Sequence, residues 1–145
     1  MNVSIDVASE ASPELLEGLN RLLPQLSSTA QLLTLGELDE LLANETLTLL
    51  VATDGRRVVG TLTLAIFPLP TGVRAWIEDV VVDQDARGTG GGESLCVRAF
   101  ELARTRGAKT LDLTSRPSRE AANNLYLKLG FSVRDTNVFR FLLED

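Results

Sequence analysis

The chain has 145 residues, of which 44% are hydrophobic, a formal net charge of −6 and a pI near 4.7. That length suits one domain, expected over residues 1–145, large enough to bury a real core, and the acidity argues against general affinity for nucleic acid or anionic membranes. Histidine is absent, which removes Ser-His-Asp and Cys-His catalysis, argues against a metal site, and leaves acid–base chemistry to carboxylates, lysines, water and the single Tyr126.

Met1 to Glu10 is polar and acidic, with no basic segment ahead of an apolar one. No signal peptide is read there, and a cytoplasmic location is expected. No later apolar run has the length needed to span a membrane. Val3 to Ala8 alternates apolar and polar residues as a first strand. Ser12-Pro13-Glu14 reads as N-cap, N1 proline and first-turn acid, opening a helix to about Leu23. Thr34 to Leu42 forms a second amphipathic helix with Leu38, Leu41 and Leu42 on one side. Thr46 to Thr53 is a strand, Asp54-Gly55 signals a hairpin, and Val58 to Phe67 is the antiparallel partner. Pro68, Pro70 and Gly72 then interrupt the chain before a strand over Val73 to Val82.

The apolar run Trp76-Ile77-Glu78-Asp79-Val80-Val81-Val82 leads into Arg87-Gly88-Thr89-Gly90-Gly91-Gly92. A helix follows from Leu95 to Arg106, with Leu95, Ala99, Leu102 and Ala103 on one face. Its Cys96, the only cysteine, excludes an internal disulfide, fits a reducing compartment and reads as a small core residue. Gly107 ends the helix, and Thr110 to Thr114 is a short strand. Arg119 to Leu129 is a further helix stopped by Gly130, and Phe131 to Arg134 and Val138 to Leu142 can form a last pair of strands. A hairpin-rich first half and a β-loop-α-β-α-β second half imply a mixed α+β sheet, mostly antiparallel, with the glycine loop near its middle.

Four glycines and an arginine between strand and helix leave a helix start of nearly bare backbone. Free N–H groups, the positive end of the helix dipole and a guanidinium all favour bound phosphate. A P-loop would need Lys-Ser or Lys-Thr closing the run, and Gly92 is followed by Glu93. A Rossmann turn starting at Gly88 would need a small residue at that same glutamate and a wholly parallel setting. A ligand-free glycine entry to the helix is the other reading, against which stands the cost of four glycines where no backbone must approach anything.

Arg87, Gly90 and Gly92, spaced Arg-x-x-Gly-x-Gly after an apolar strand, resemble the pyrophosphate loop of the GNAT N-acetyltransferases. Asn124-Leu125-Tyr126-Leu127-Lys128-Leu129-Gly130-Phe131 is similar to that family's Leu-Tyr-x-Lys-x-Gly-Phe signature, and Ile77 to Val82 to its central strand. The resemblance implies a single GNAT-like domain whose central, mostly antiparallel twisted sheet is flanked by helices and splayed at its central strands. It implies acetyl-CoA as co-substrate, with no metal. Backbone groups of Val80, Val81 and Val82 would meet the pantetheine arm. Amides of Gly88, Thr89, Gly90, Gly91, Gly92 and Glu93, with Arg87, would hold the pyrophosphate. Glu78 would be the base and Tyr126 the acid that protonates the leaving thiolate. Strand alternation would put Asp79 on the face opposite Glu78. Arg119 stands where many members carry an asparagine and could instead meet a CoA phosphate. Gly91 replaces the usual branched apolar residue.

The implied activity is acetyl transfer to a primary amine by direct attack in a ternary complex. The acceptor would be a small-molecule amine or a protein amino group, with no nucleic-acid or membrane partner and a homodimer allowed. A CoA- or acyl-CoA-binding sensor or interaction module without turnover is the alternative.

Overall fold

The computed structural model describes residues 2–144. In chain order the elements are β1 (Val3–Val7), α1 (Pro13–Leu26), α2 (Leu35–Ala43), β2 (Leu47–Asp54), β3 (Arg57–Leu69), β4 (Gly72–Val82), a 3₁₀ turn (Gln84–Ala86), α3 (Gly91–Thr105), β5 (Leu111–Asp112) and α4 (Glu120–Leu129). The backbone forms two compact units that meet in sequence between Thr114 and Ser115. The whole sheet and α1 to α3 belong to the first unit, and α4 to the second.

Local chemistry accounts for the helix starts. Ser12 Oγ accepts the Leu15 N–H at 3.1 Å, with Pro13 at the first helical position where its missing N–H costs nothing. Thr34 and Glu37 close a reciprocal capping box on α2, their bonds 3.1 and 3.0 Å long. Helix α1 outruns the expected end at Leu23 and carries Pro24 in its last turn. A proline there forfeits only one ladder bond, and Ser27 N still reaches Leu23 O at 3.0 Å. The side chain of Asn20 then clamps both backbone groups of Leu33, at 3.0 and 2.8 Å, fixing the chain's return toward α2.

The strands lie in sequence order, β1-β2-β3-β4-β5, antiparallel through β4, with β5 parallel to it. Leu15, Leu19, Leu22 and Leu38 of the first two helices pack with Val51, Val58 and Val81 on one face. Helix α3 covers the other face: a Cβ built on Gly60 would stand 3.4 Å from Leu95. Two irregularities bend the meander. One lies between Ala52 and Thr53, where β3 carries the extra residue, and the other between Thr61 and Thr63, where β4 carries it.

Three expectations need correction. Pro68 lies within β3, paired with Val73, and the break is the turn at Pro70-Thr71. A proline is tolerated near a strand end, where few ladder bonds remain to be lost. The strand expected over Thr110 to Thr114 is confined to Leu111–Asp112. No strand follows α4 among the described residues, so Phe131 to Arg134 and Val138 to Leu142 are not the expected pair. Alternation makes a strand only where a neighbour supplies the ladder, and here Val133 and Phe139 are 88% and 89% exposed.

Candidate active site

Strand β4 and the loop after it form the centre of the site. The β4–β5 ladder consists of Ala75↔Leu111 and Trp76↔Asp112, although β4 runs on to Val82. Its edge toward β5 is therefore unlatched from Ile77 onward, while β3 continues to pair the other edge as far as Val82. This is the splay expected at the central strands. The side chain of Val81 faces the core, so what Val80, Val81 and Val82 can present along that edge is backbone.

The root of the loop is held by Asp83, one of two buried polar residues in the described chain. Its N–H donates to Val59 O at 2.7 Å, extending the ladder past the strand. Its carboxylate accepts from Arg21 Nη1 at 2.6 Å, from Arg57 Nη2 at 3.3 Å and from the Asp85 N–H at 3.2 Å. Arg21 also donates to Val58 O at 2.6 Å. Burial pushes the Asp83 carboxyl up, but the Asp85 amide, Arg57, Gln25 and Arg21 outweigh it and hold the group below the usual carboxylate range. Sequence reading passed over this residue. The available signal was an acid placed directly between an apolar strand and the loop.

The loop is shaped by left-handed backbone at Gly88 (φ +83°) and Gly90 (φ +86°), conformations that only glycine adopts cheaply. Gly90 is the N-cap of α3, and no side chain caps that helix. The amides of Gly91 and Gly92 lie at the positive end of the dipole with no side-chain cap. Gly91 is different: its φ is ordinary, and an added Cβ would meet nothing closer than 3.8 Å. Thr89 is spent within the loop, its Oγ1 and N–H both donating to Ala86 O at 2.6 and 3.3 Å. Its hydroxyl can offer a ligand only an acceptor. Arg87 is exposed beside these amides in sequence, and Glu93 is half-buried in the first turn. Cys96, further along α3, is fully buried, and burial pushes its thiol up to about 11.

Glu78 is exposed, and its Oε1 accepts from Trp76 Nε1 at 2.7 Å. It stands opposite Thr63 in the β3–β4 register. Asp79 occupies the bulge with φ +51°, the one left-handed non-glycine residue described. The expectation that alternation sends Asp79 away from Glu78 is overturned here, because the extra residue interrupts the two-residue period. Thr61, Thr63 and Asp79 all line a cavity of about 140 Å³ under α1 and α2, together with seven leucines. Directly paired residues share a sheet face, so Glu78 lies on that face too.

Arg119 and Tyr126 belong to the second unit. Arg119 is the exposed N-cap of α4, its N–H donating to Arg116 O at 3.0 Å. Asn123 Nδ2 donates to the same carbonyl at 3.0 Å, which pins the turn before the helix. Tyr126 is the buried residue of α4, its ring edge-on to Phe131 with centroids 5.6 Å apart. The helix stops at Gly130 (φ +107°), and Phe131 N returns to Tyr126 O at 3.0 Å, which sets that ring pair. Ser115 Oγ is the buried side-chain polar atom without a partner among the described residues, a feature no pattern in the sequence announces.

Residues 13–131 match the acetyltransferase (GNAT) family. No curated protein matches the chain. Among solved structures, a putative acetyltransferase from Agrobacterium tumefaciens str. C58 is 29% identical, with a TM-score of 0.84 over 96% of this chain and 99% of its own. A protein from Bacillus halodurans C-125 described as a transcriptional regulator is 27% identical, with a TM-score of 0.84 over 97% and 100%. Glucosamine-6-phosphate N-acetyltransferase from Arabidopsis thaliana, at 21% identity, shares the fold with a TM-score of 0.81 over 97% and 99%.

Proposed function

The chain belongs to the acetyltransferase (GNAT) family, and from that premise we propose that it transfers acetyl from acetyl-CoA to a primary amine by direct attack in a ternary complex. The observation that carries this reading is the uncapped glycine start of α3, reached by a short loop from a β4 edge that β5 has left. Those amides and Arg87 suit a pyrophosphate, and a free strand edge suits an amide-bearing arm. When bound, acetyl-CoA supplies the acyl group as an activated thioester.

The chain's residues then have separable tasks. Glu78 takes a proton from the attacking amine, directly or through water, with the Trp76 indole holding its carboxylate. As the C–N bond forms and the C–S bond breaks, Tyr126 gives its phenolic proton to the departing sulfur and recovers one from solvent. Gly88, Gly90, Gly91, Gly92 and Glu93 contribute amides, Thr89 shapes their loop, and Arg119 offers a guanidinium for a phosphate.

The test is thiol release from acetyl-CoA across a panel of primary amines. Tyr126→Phe should lower kcat by roughly 10²–10⁴-fold, the usual worth of a positioned acid, with acetyl-CoA affinity retained in calorimetry. Full activity in that variant would remove the assigned acid. The relative described as a transcriptional regulator favours one second reading, a CoA-binding module without turnover. Tight acetyl-CoA binding with no thiol release for any amine would favour it.

A further inference from the structure

We infer that the cavity beside Asp79 selects the acceptor, and that this acceptor is a primary amine on a compact apolar body of about phenyl size. The inference rests on the transferase reading and extends it to the substrate class.

The cavity measures about 140 Å³ and is walled by leucines of α1, α2 and β2, among them Leu19, Leu38 and Leu49. A comparable apolar cavity of about 150 Å³ holds a benzene molecule, so a ring or a short branched alkyl group fills this one. Its polar groups are few. The Thr61 hydroxyl donates to Leu50 O at 3.0 Å and is spent inside the fold. The other polar residues of the lining are Thr63 and Asp79, and Thr61 can offer a ligand only an acceptor. No arginine or lysine is in the lining, so a phosphate would find no cation there.

The same inventory argues against a sugar ring of similar size. Each hydroxyl buried without a partner against leucine lowers affinity by roughly 5- to 150-fold, and a sugar brings several. Each buried methylene raises affinity by about fourfold. Asp79 is exposed to solvent yet lines the otherwise apolar cavity, and a carboxylate there receives an ammonium by a charge-assisted hydrogen bond. Asp79 joins this lining at the bulge, where its backbone is left-handed (φ +51°). Asp79 is thereby a positioning residue for the ammonium, which loses one proton to water to become the nucleophile and a second to the adjacent Glu78 as the C–N bond forms.

The experiment compares butylamine, pentylamine, hexylamine, phenethylamine and glucosamine by thiol release, alongside calorimetric binding of acetyl-CoA and of phenethylamine alone. The expected result is kcat/KM rising about fourfold per methylene and at least 100-fold higher for phenethylamine than for glucosamine. Asp79→Asn keeps a residue that tolerates left-handed backbone. It should raise KM for phenethylamine at least tenfold with a smaller change in kcat, and Asp79→Glu should recover part of that loss. Leu41→Phe, which fills the cavity from α2, should flatten the dependence on chain length. Glucosamine matching phenethylamine, or chain-length dependence unchanged in Leu41→Phe, overturns the inference and leaves the transferase reading standing. Phenethylamine that binds wild type and not Asp79→Asn, with no thiol released for any amine, upholds the cavity and overturns the transferase. Absence of both binding and release overturns both.

Discussion

Asp83 ties α1, β3 and the glycine loop together through a single carboxylate, so its removal should be felt well beyond its own position. Replacing it with alanine leaves Arg21 and Arg57 facing a dry site, though both are partly exposed and can turn to water. The loss should therefore be about 2–3 kcal/mol in urea denaturation, below the range for fully enclosed pairs. The sign of its pH dependence follows from a carboxyl pKa depressed by folding. Its contribution is complete above the unfolded value near 3.9 and is lost as pH falls through the lower folded value. The stability gap between wild type and Asp83→Ala should thus stay constant from pH 7 to about 5 and narrow only in stronger acid. Cys96 gives the opposite case: buried, with its thiol raised to about 11, it should resist thiol reagents at pH 8 in the native protein and label fully in denaturant. At this scale Tyr126 and Arg87 stand out in the sequence because they sit in motifs. Asp83 and Ser115 were not, since their roles depend on partners far away in sequence or on having none.

Among the elements, the glycine loop separates backbone need from side-chain absence. Gly90→Ala places a Cβ on left-handed backbone and should cost about 1 kcal/mol in denaturation, with acetyl-CoA affinity falling in calorimetry as the amides are misaligned. Gly91→Ala sits at ordinary φ, with the new methyl in ordinary van der Waals contact with Thr89, Val3 and Val82. It should gain about 0.4–1 kcal/mol by restricting the unfolded chain, with acetyl-CoA affinity unchanged. The starts of α1 and α2 were readable to within a residue, because Ser12, Thr34 and Glu37 act on neighbours in sequence, whereas α3 begins at Gly91, four residues before the expected Leu95. Helix and strand ends were less so. Pro24 and Pro68 look like breaks, and each is absorbed where one missing N–H hardly matters. Strand β5 shrank to two residues because its length is set by where β4 parts from it, which alternation in Thr110 to Thr114 does not encode.

At the scale of the whole molecule, element order and sheet direction followed from hairpin signals and the β-loop-α unit, while the two bulges left no mark in composition. The segment after α4 shows the same limit, since its alternation did not find a ladder. Phe139 and Phe141 are 89% and 85% exposed, so Phe139→Ser combined with Phe141→Ser should leave the denaturation midpoint within error. The same pair should lower light scattering at high protein concentration by removing exposed aromatic surface. The bulge in β4 has a further consequence, for insertions and deletions. Ile77 lies opposite Leu64 and Val81 opposite Thr61, so one added residue lets two positions of equal parity face opposite layers. Side chains in β4 can therefore be exchanged piecemeal, but its length cannot change by one. Deleting Asp79 would restore the even count, turning Val81 and its core contacts to the wrong side or shifting every later residue against β3. Mutational drift in this strand is free to alter letters and barred from altering their number.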